Sequence, residues 1–131
     1  MRVMLDTNIL ISAFIFKSKN IFTLIEKLSR NHKAVISTYC IDELKEVVRK
    51  KFKVEINKVD EFLESFPFEK VNSPQKVDKK LFEIRDEDDY IILHTAIIEN
   101  VDIFITGDKD FENIKIDKPK IMTIKEFLNQ Y

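Results

Sequence analysis

Three short apolar runs, Val3-Met4-Leu5, Val35-Ile36 and Ile103-Phe104-Ile105, show no alternation of apolar with polar residues, and stretches of helical period separate them. A strand that is apolar at every position has both faces buried, and helices on each side of the sheet do the burying. The pattern therefore points to an α/β chain, a three-layer α/β/α sandwich with a mostly parallel central sheet. In such a sheet a ligand site forms outside the carboxyl ends of the strands.

Arg2 to Leu5 reads as the first strand, followed by helical segments Ile9 to Phe16 and Ile21 to Leu28, split at Lys17-Ser18-Lys19-Asn20. Ala34 to Ser37 repeats the strand signal. Ser37 is placed to cap a helix whose stripe is Cys40, Leu44, Val47 and Val48. Val54 to Phe66 is a further amphipathic helix, stopped by Pro67 before a short strand, Phe68 to Val71. Asn72 to Lys80 reads as a surface loop. A helix from about Asp88 to Asn100, a strand Asp102 to Thr106, a break at Gly107, a strand Ile121 to Thr123 and a closing helix complete the chain.

With 131 residues, a chain of this kind buries roughly two-thirds of its unfolded surface, so residues 1–131 are expected to form a single domain. The net charge of −1 supplies no global basic field for a nucleic acid, so such binding must rest on local patches or on metal. Gly107 is the sole glycine, which excludes glycine-rich phosphate loops. Cys40 is the sole cysteine and falls in an apolar stripe, which suits a buried bystander in a reducing compartment. Asp6 and Asn8 interrupt the apolar start before a signal-peptide core accumulates, and no run of about 20 apolar residues exists. The expected location is the cytoplasm, with no membrane span.

Four acids stand where apolar segments stop or start: Asp6, Glu43, Asp89 and Asp108. Like charges gathered at one edge of a core repel one another unless a cation sits between them. Asp6 could cap the helix that follows, but Asp6-Thr7-Asn8 offers three capping residues where one suffices, and a ligand role explains the surplus. Thr7 and Asn8 would then orient carboxylate and water from outside the ligand set. Glu43 borders the stripe of its helix, whereas Asp42 points about 100° away toward solvent.

The run Asp86-Glu87-Asp88-Asp89 opens a helix whose dipole favours acids in its first turn. Asp86 is assigned the cap, and Asp89, on the face of Ile92, Leu93 and Ala96, the ligand role. Asp108 follows a strand at a tight turn that brings the Thr106 hydroxyl close to a small charged ligand. Asp110 either adds a ligand or merely precedes the anchoring Phe111. His32 and His94 have no second ligand at metal spacing and suit solvated or structural roles. The basic run Arg49, Lys50 and Lys51 at a helix end is a candidate contact for an RNA backbone, or a solvated terminus favoured by the helix dipole.

Taken together, Leu5-Asp6-Thr7-Asn8-Ile9-Leu10, Ser37 through Glu43-Leu44, Arg85-Asp86-Glu87-Asp88-Asp89 with Ala96, and Thr106-Gly107-Asp108-Lys109-Asp110-Phe111 resemble a PIN domain. The chain is similar in particular to the VapC-like toxin ribonucleases of toxin–antitoxin pairs. The resemblance covers essentially the whole chain. It implies a metal-dependent endoribonuclease, with Asp6, Glu43, Asp89 and Asp108 in the family's acidic quartet, Asn8 and Thr106 as polar helpers, and Asp110 as an extra ligand. It also implies Mg2+ or Mn2+ as cofactor, an RNA substrate, a homodimer and a cognate antitoxin. Such an ion takes carboxylate oxygens while keeping waters, lowers the pKa of one of them, and with a second ion about 4 Å away assists in-line displacement. The implied products carry 5′-phosphate and 3′-hydroxyl ends.

Two rival readings remain at this point. A haloacid-dehalogenase-like phosphatase also places acids beside a parallel sheet, but it needs an aspartate where this chain has Asn8. A non-catalytic acidic-pocket interaction module would carry the same acids without turnover.

Overall fold

The computed structural model describes residues 1–77 and 79–131. Among them, strands β1 (Arg2–Leu5), β2 (Lys33–Ser37), β3 (Glu69–Val71), β4 (Ile103–Ile105) and β5 (Lys120–Met122) form one sheet in the order β3-β2-β1-β4-β5. Every pairing in it is parallel. The helices are α1 (Thr7–Ile11), α2 (Lys19–Asn31), α3 (Thr38–Lys51), α4 (Ile56–Glu64), α5 (Glu87–Ile98) and α6 (Ile124–Gln130). The α/β/α sandwich expected from the sequence is the fold observed.

Neighbouring residues of a strand point to opposite faces of the sheet, so a strand buried at every position is covered twice. Val35 and Ile36 in β2, and Val3 and Met4 in β1, are all 0% exposed. In keeping with this, β2 packs against both α2 and α3, and α2 also meets α6. The chain moves outward from β1 through β2 to β3, then returns to lay β4 and β5 on the other side of β1. The strand order therefore reverses between β1 and β4, and the crevice above their carboxyl ends is where such sheets bind ligands.

Local chemistry sets the helix boundaries. Ser37 accepts from the Cys40 N–H at 3.2 Å to start α3, and Thr123 and Glu126 form a reciprocal capping box on α6. The helix expected from Val54 starts instead at Ile56. Lys53 takes a left-handed φ of 51° and the Val54 N–H bonds the Val48 carbonyl at 3.1 Å, so Val54 closes α3 rather than opening α4. Asn100, at φ 53°, ends α5 in the same way, and the Val101 N–H bonds the Ala96 carbonyl at 3.2 Å.

Within Ile9 to Phe16, α1 widens into a π-helical turn at Ser12–Phe16. The described part of Asn72 to Lys80 contains β3's exit and turns; Asp78 lies outside the described residues. Cys40 is fully buried, and burial pushes its thiol up to about 12, which makes it inert. Both histidines pack on aromatic rings: His94 is buried beside Tyr90, and His32 lies on Phe127 and Tyr131. Among the described residues, no single helix is long and apolar enough to cross a membrane.

Candidate metal centre

Asp6 and Thr106 leave β1 and β4 side by side at the switch point. The Asp6 N–H bonds the Ile105 carbonyl at 3.0 Å and so extends the β1–β4 ladder by one residue. Asp6 does cap α1, with Oδ1 accepting from the Thr7 N–H at 2.7 Å, but its Oδ2 accepts from the Thr106 hydroxyl, also at 2.7 Å. The Thr106 oxygen accepts from the Asp108 N–H at 3.0 Å, and Asp108 Oδ1 accepts from the Asp110 N–H at 2.9 Å. A chain of hydrogen bonds thus fixes Asp6, Asp108 and Asp110 relative to one another.

Asp6 is only 3% exposed. Burial pushes its carboxyl up to about 6, against the pull of the Thr106 and Thr7 hydrogen bonds, with the Glu43 and Asp108 charges adding to the rise. Asp89, partly buried in the first turn of α5, is driven further, to about 7, by burial and then by the charges of Asp108, Asp86, Asp6 and Asp110. Burial also raises Glu43 on α3, and Asp88 and Asp86 raise it further. The Thr7 hydroxyl, buried without a hydrogen bond of ordinary length, lies beside Glu43 and offsets part of that rise. All four acids named from the sequence therefore share one electrostatic environment.

The acidic run at the start of α5 is sorted by its partners. Asp86 caps the helix by accepting from the Asp88 N–H at 2.8 Å. Glu87 is paired with Lys79 at 2.7 Å. Asp88 accepts a hydrogen bond from the Tyr39 hydroxyl, which burial and the acids keep protonated. Asp89 is left with a buried Oδ2 that has no partner. One oxygen each from Asp89, Asp108 and Asp110 lie within 4.8 Å of one another, and Asp6 and Glu43 flank this triad at longer range.

This donor set consists of hard oxygens, carboxylates with threonine hydroxyls beside them, and among the described residues no histidine or cysteine joins it. That chemistry fits a divalent ion of the magnesium, manganese or calcium type. The local observation that such an ion would satisfy is Asp89, whose buried Oδ2 has no partner and whose carboxylate clusters with two others.

Of the other residues singled out from the sequence, Asn8 and Asp42 are exposed. Arg49, Lys50 and Lys51 occupy the last turn of α3, six to eight residues beyond Glu43, or roughly 9–12 Å along the helix axis. Lys50 is engaged there with Glu46 at 2.7 Å. Sequence reasoning assigned no role to Tyr39, although it precedes Glu43 by one helical turn and so shares its face. Nor did it assign one to Arg85, whose guanidinium lies 3.5 Å from Asp110; no spacing rule pairs residues on separate elements.

A parallel sheet with a cluster of carboxylates at its switch point offers the donor set that a hard divalent ion takes. The family profile described as "PIN domain" matches residues 2–110, and the chain belongs to the PIN-domain family. Its structure is similar to a chain of VapBC2 from Rickettsia felis, in a crystal structure of that complex bound to a DNA fragment from its promoter. The TM-score is 0.72 and the identity 26%, over 93% of this chain and 97% of that one. It is also similar in fold to a chain of VapBC-1 from nontypeable Haemophilus influenzae, with a TM-score of 0.69 and 21% identity over 95% and 99% of the two chains. The VapC-like resemblance read from the sequence is borne out by these findings. A comparison with curated protein sequences finds no match.

Proposed function

We propose that residues 1–131 act as one Mg2+- or Mn2+-dependent endoribonuclease domain, the toxin component of a toxin–antitoxin pair, working in the cytoplasm. The observation that carries this reading is the Asp89 carboxylate, which clusters with those of Asp108 and Asp110 and has a buried Oδ2 without a partner. Support comes also from the PIN-domain match and from the likeness to VapBC complexes.

Asp89, Asp108 and Asp110 would hold the ion, with Asp6 and Glu43 as further carboxylates within reach of its charge. The bound ion supplies Lewis-acid polarisation of a phosphodiester and a water of lowered pKa. Thr106 and the Thr7 N–H each take one lone pair of Asp6, which fixes its rotamer while leaving each oxygen able to bind a ligand. Burial of these groups excludes bulk water and strengthens their hold on a cation. Single-stranded or looped RNA is the substrate assigned, because its phosphates can approach the recessed edge of the sheet. Arg49, Lys50 and Lys51 remain candidate contacts for more distant parts of the RNA.

An antitoxin has an apolar surface to cover. Phe16 and Phe22 are 66% and 71% exposed, beside a groove lined by Phe14, Ile25, Phe62 and Phe66. The likeness to VapBC2 supports an antitoxin partner; we place it on this groove, and Phe22→Ala should weaken such a complex without lowering the melting temperature. A homodimer, checked by solution mass, completes the proposed assembly.

The test is incubation of purified protein with an RNA pool plus Mg2+ or Mn2+, against EDTA and against Asp6→Asn and Asp89→Asn. Metal-dependent cutting that both variants lose is the expected result. Equal cutting by variants and parent would refute the metal mechanism, and phosphate release from small phosphoesters would favour a phosphatase.

A further inference from the structure

A nucleic-acid backbone approaching the carboxyl edge of the sheet meets Asp6, Glu43, Asp88, Asp89, Asp108 and Asp110, a field that repels phosphate. Among the described residues, Arg85 reaches into this group. Arg85 Nη2 lies 3.5 Å from Asp110 Oδ2, and Asp110 belongs to the triad of closely spaced carboxylates.

Two features set Arg85 apart from an ordinary surface ion pair. Its backbone is anchored, because the next residue, Asp86, caps α5 through both the Asp88 N–H and, from its carbonyl, the Tyr90 N–H. Its guanidinium is not: the side chain is 87% exposed and holds Asp110 by a single long contact. An exposed pair of this length contributes little and exchanges readily. A cation bound to the triad would neutralise Asp110 and free the guanidinium, whose residue precedes Asp89 by four in the chain. Its planar fork matches two oxygens of a phosphate, which a lysine cannot grip in the same way.

Resting on the nuclease reading, we infer that Arg85 grips a non-bridging phosphate oxygen of the RNA beside the bond to be cut, exchanging Asp110 for the substrate. Arg85 is thus a substrate-positioning residue that answers the repulsion of the acids around it. It is not a metal ligand, and its removal takes a competing cation away from Asp110.

The experiment measures binding of a labelled single-stranded RNA by fluorescence anisotropy in Ca2+, with Mn2+ binding followed by calorimetry in the absence of RNA. The proteins are the parent, Arg85→Ala, Arg85→Lys and Arg30→Ala, the last removing one exposed charge on α2. Arg85→Ala is expected to bind RNA about tenfold more weakly, with a salt dependence shallower by about 0.7 in log–log slope, the loss of one single-strand phosphate contact. Arg85→Lys should recover part of that loss, Arg30→Ala should match the parent, and Mn2+ should bind Arg85→Ala as tightly as the parent or more so. RNA binding by Arg85→Ala equal to the Arg30→Ala control would overturn the inference while leaving the nuclease reading intact. Weakened Mn2+ binding by both Arg85 variants would assign the residue to the metal centre instead and overturn it too. A parent that neither binds nor cuts RNA would remove the nuclease reading itself, and this inference with it.

Discussion

Replacing Asp6 by asparagine should stabilise the metal-free protein at alkaline pH, an unusual outcome for a buried and hydrogen-bonded residue. Folding raises the Asp6 carboxyl from 3.8 to about 6, chiefly by burial. A raised carboxyl adds stability that is complete below the unfolded value of 3.8 and is lost as pH rises through about 6. At pH 8 the charged form therefore costs about 3 kcal/mol, from a shift of roughly two units at 1.36 kcal/mol each. Asparagine is nearly isosteric, removes the charge and still accepts from the Thr7 N–H. It cannot accept from the Thr106 hydroxyl through its amide nitrogen, a loss of about 1 kcal/mol. The net gain is about 2 kcal/mol at pH 8, or a rise of roughly 5–8 °C in Tm for a domain of this size. At pH 5 much of Asp6 is already protonated, and the advantage should shrink by a little over 1 kcal/mol. Thermal and urea denaturation in EDTA at the two pH values measure this difference. An Asp6→Asn protein less stable than the parent by the same amount at both would refute the reasoning and leave Asp6 as a helix cap.

Divalent ions must displace protons from Asp89 and Asp6, raised to about 7 and about 6, so Mn2+ affinity measured by calorimetry should fall about tenfold per pH unit for each proton displaced as pH drops below these values. Thr106→Val removes the hydroxyl that orients Asp6 and should lower Mn2+ affinity about 10–100-fold, with circular dichroism showing the fold retained. Tyr39→Phe cuts the tie between α3 and Asp88 and should cost about 1 kcal/mol in urea denaturation. Combined with Asp88→Asn it should cost less than the sum of the two, as bonded partners do.

The central strands were legible because burial on both faces leaves no room for polar residues: Val3 to Leu5, Val35-Ile36 and Ile103 to Ile105 could hardly be anything but the inside of a covered sheet. The site followed, since the ends of β1 and β4 are where acids had to converge once the sheet was parallel. Choosing Asp86 as the cap required only helix geometry, and its bond from the Asp88 N–H agrees, while Asp89 keeps an unpartnered Oδ2. The ties from Tyr39 to Asp88, Lys79 to Glu87 and Arg85 to Asp110 were not legible. Each joins separate elements whose relative placement is set by packing, on which hydrophobic period is silent. The start of α4 was misplaced for a local reason: the left-handed Lys53 is neither glycine nor asparagine, so nothing in the sequence marked the turn.

The most direct test of a metal centre built from these acids is the anomalous scattering of a crystal grown with Mn2+. The account predicts a peak among the carboxylates of Asp89, Asp108 and Asp110, with Asp89 Oδ2 no longer unpartnered. Carboxylates that stay as they are with no peak between them, or manganese bound only elsewhere on the surface, would contradict it.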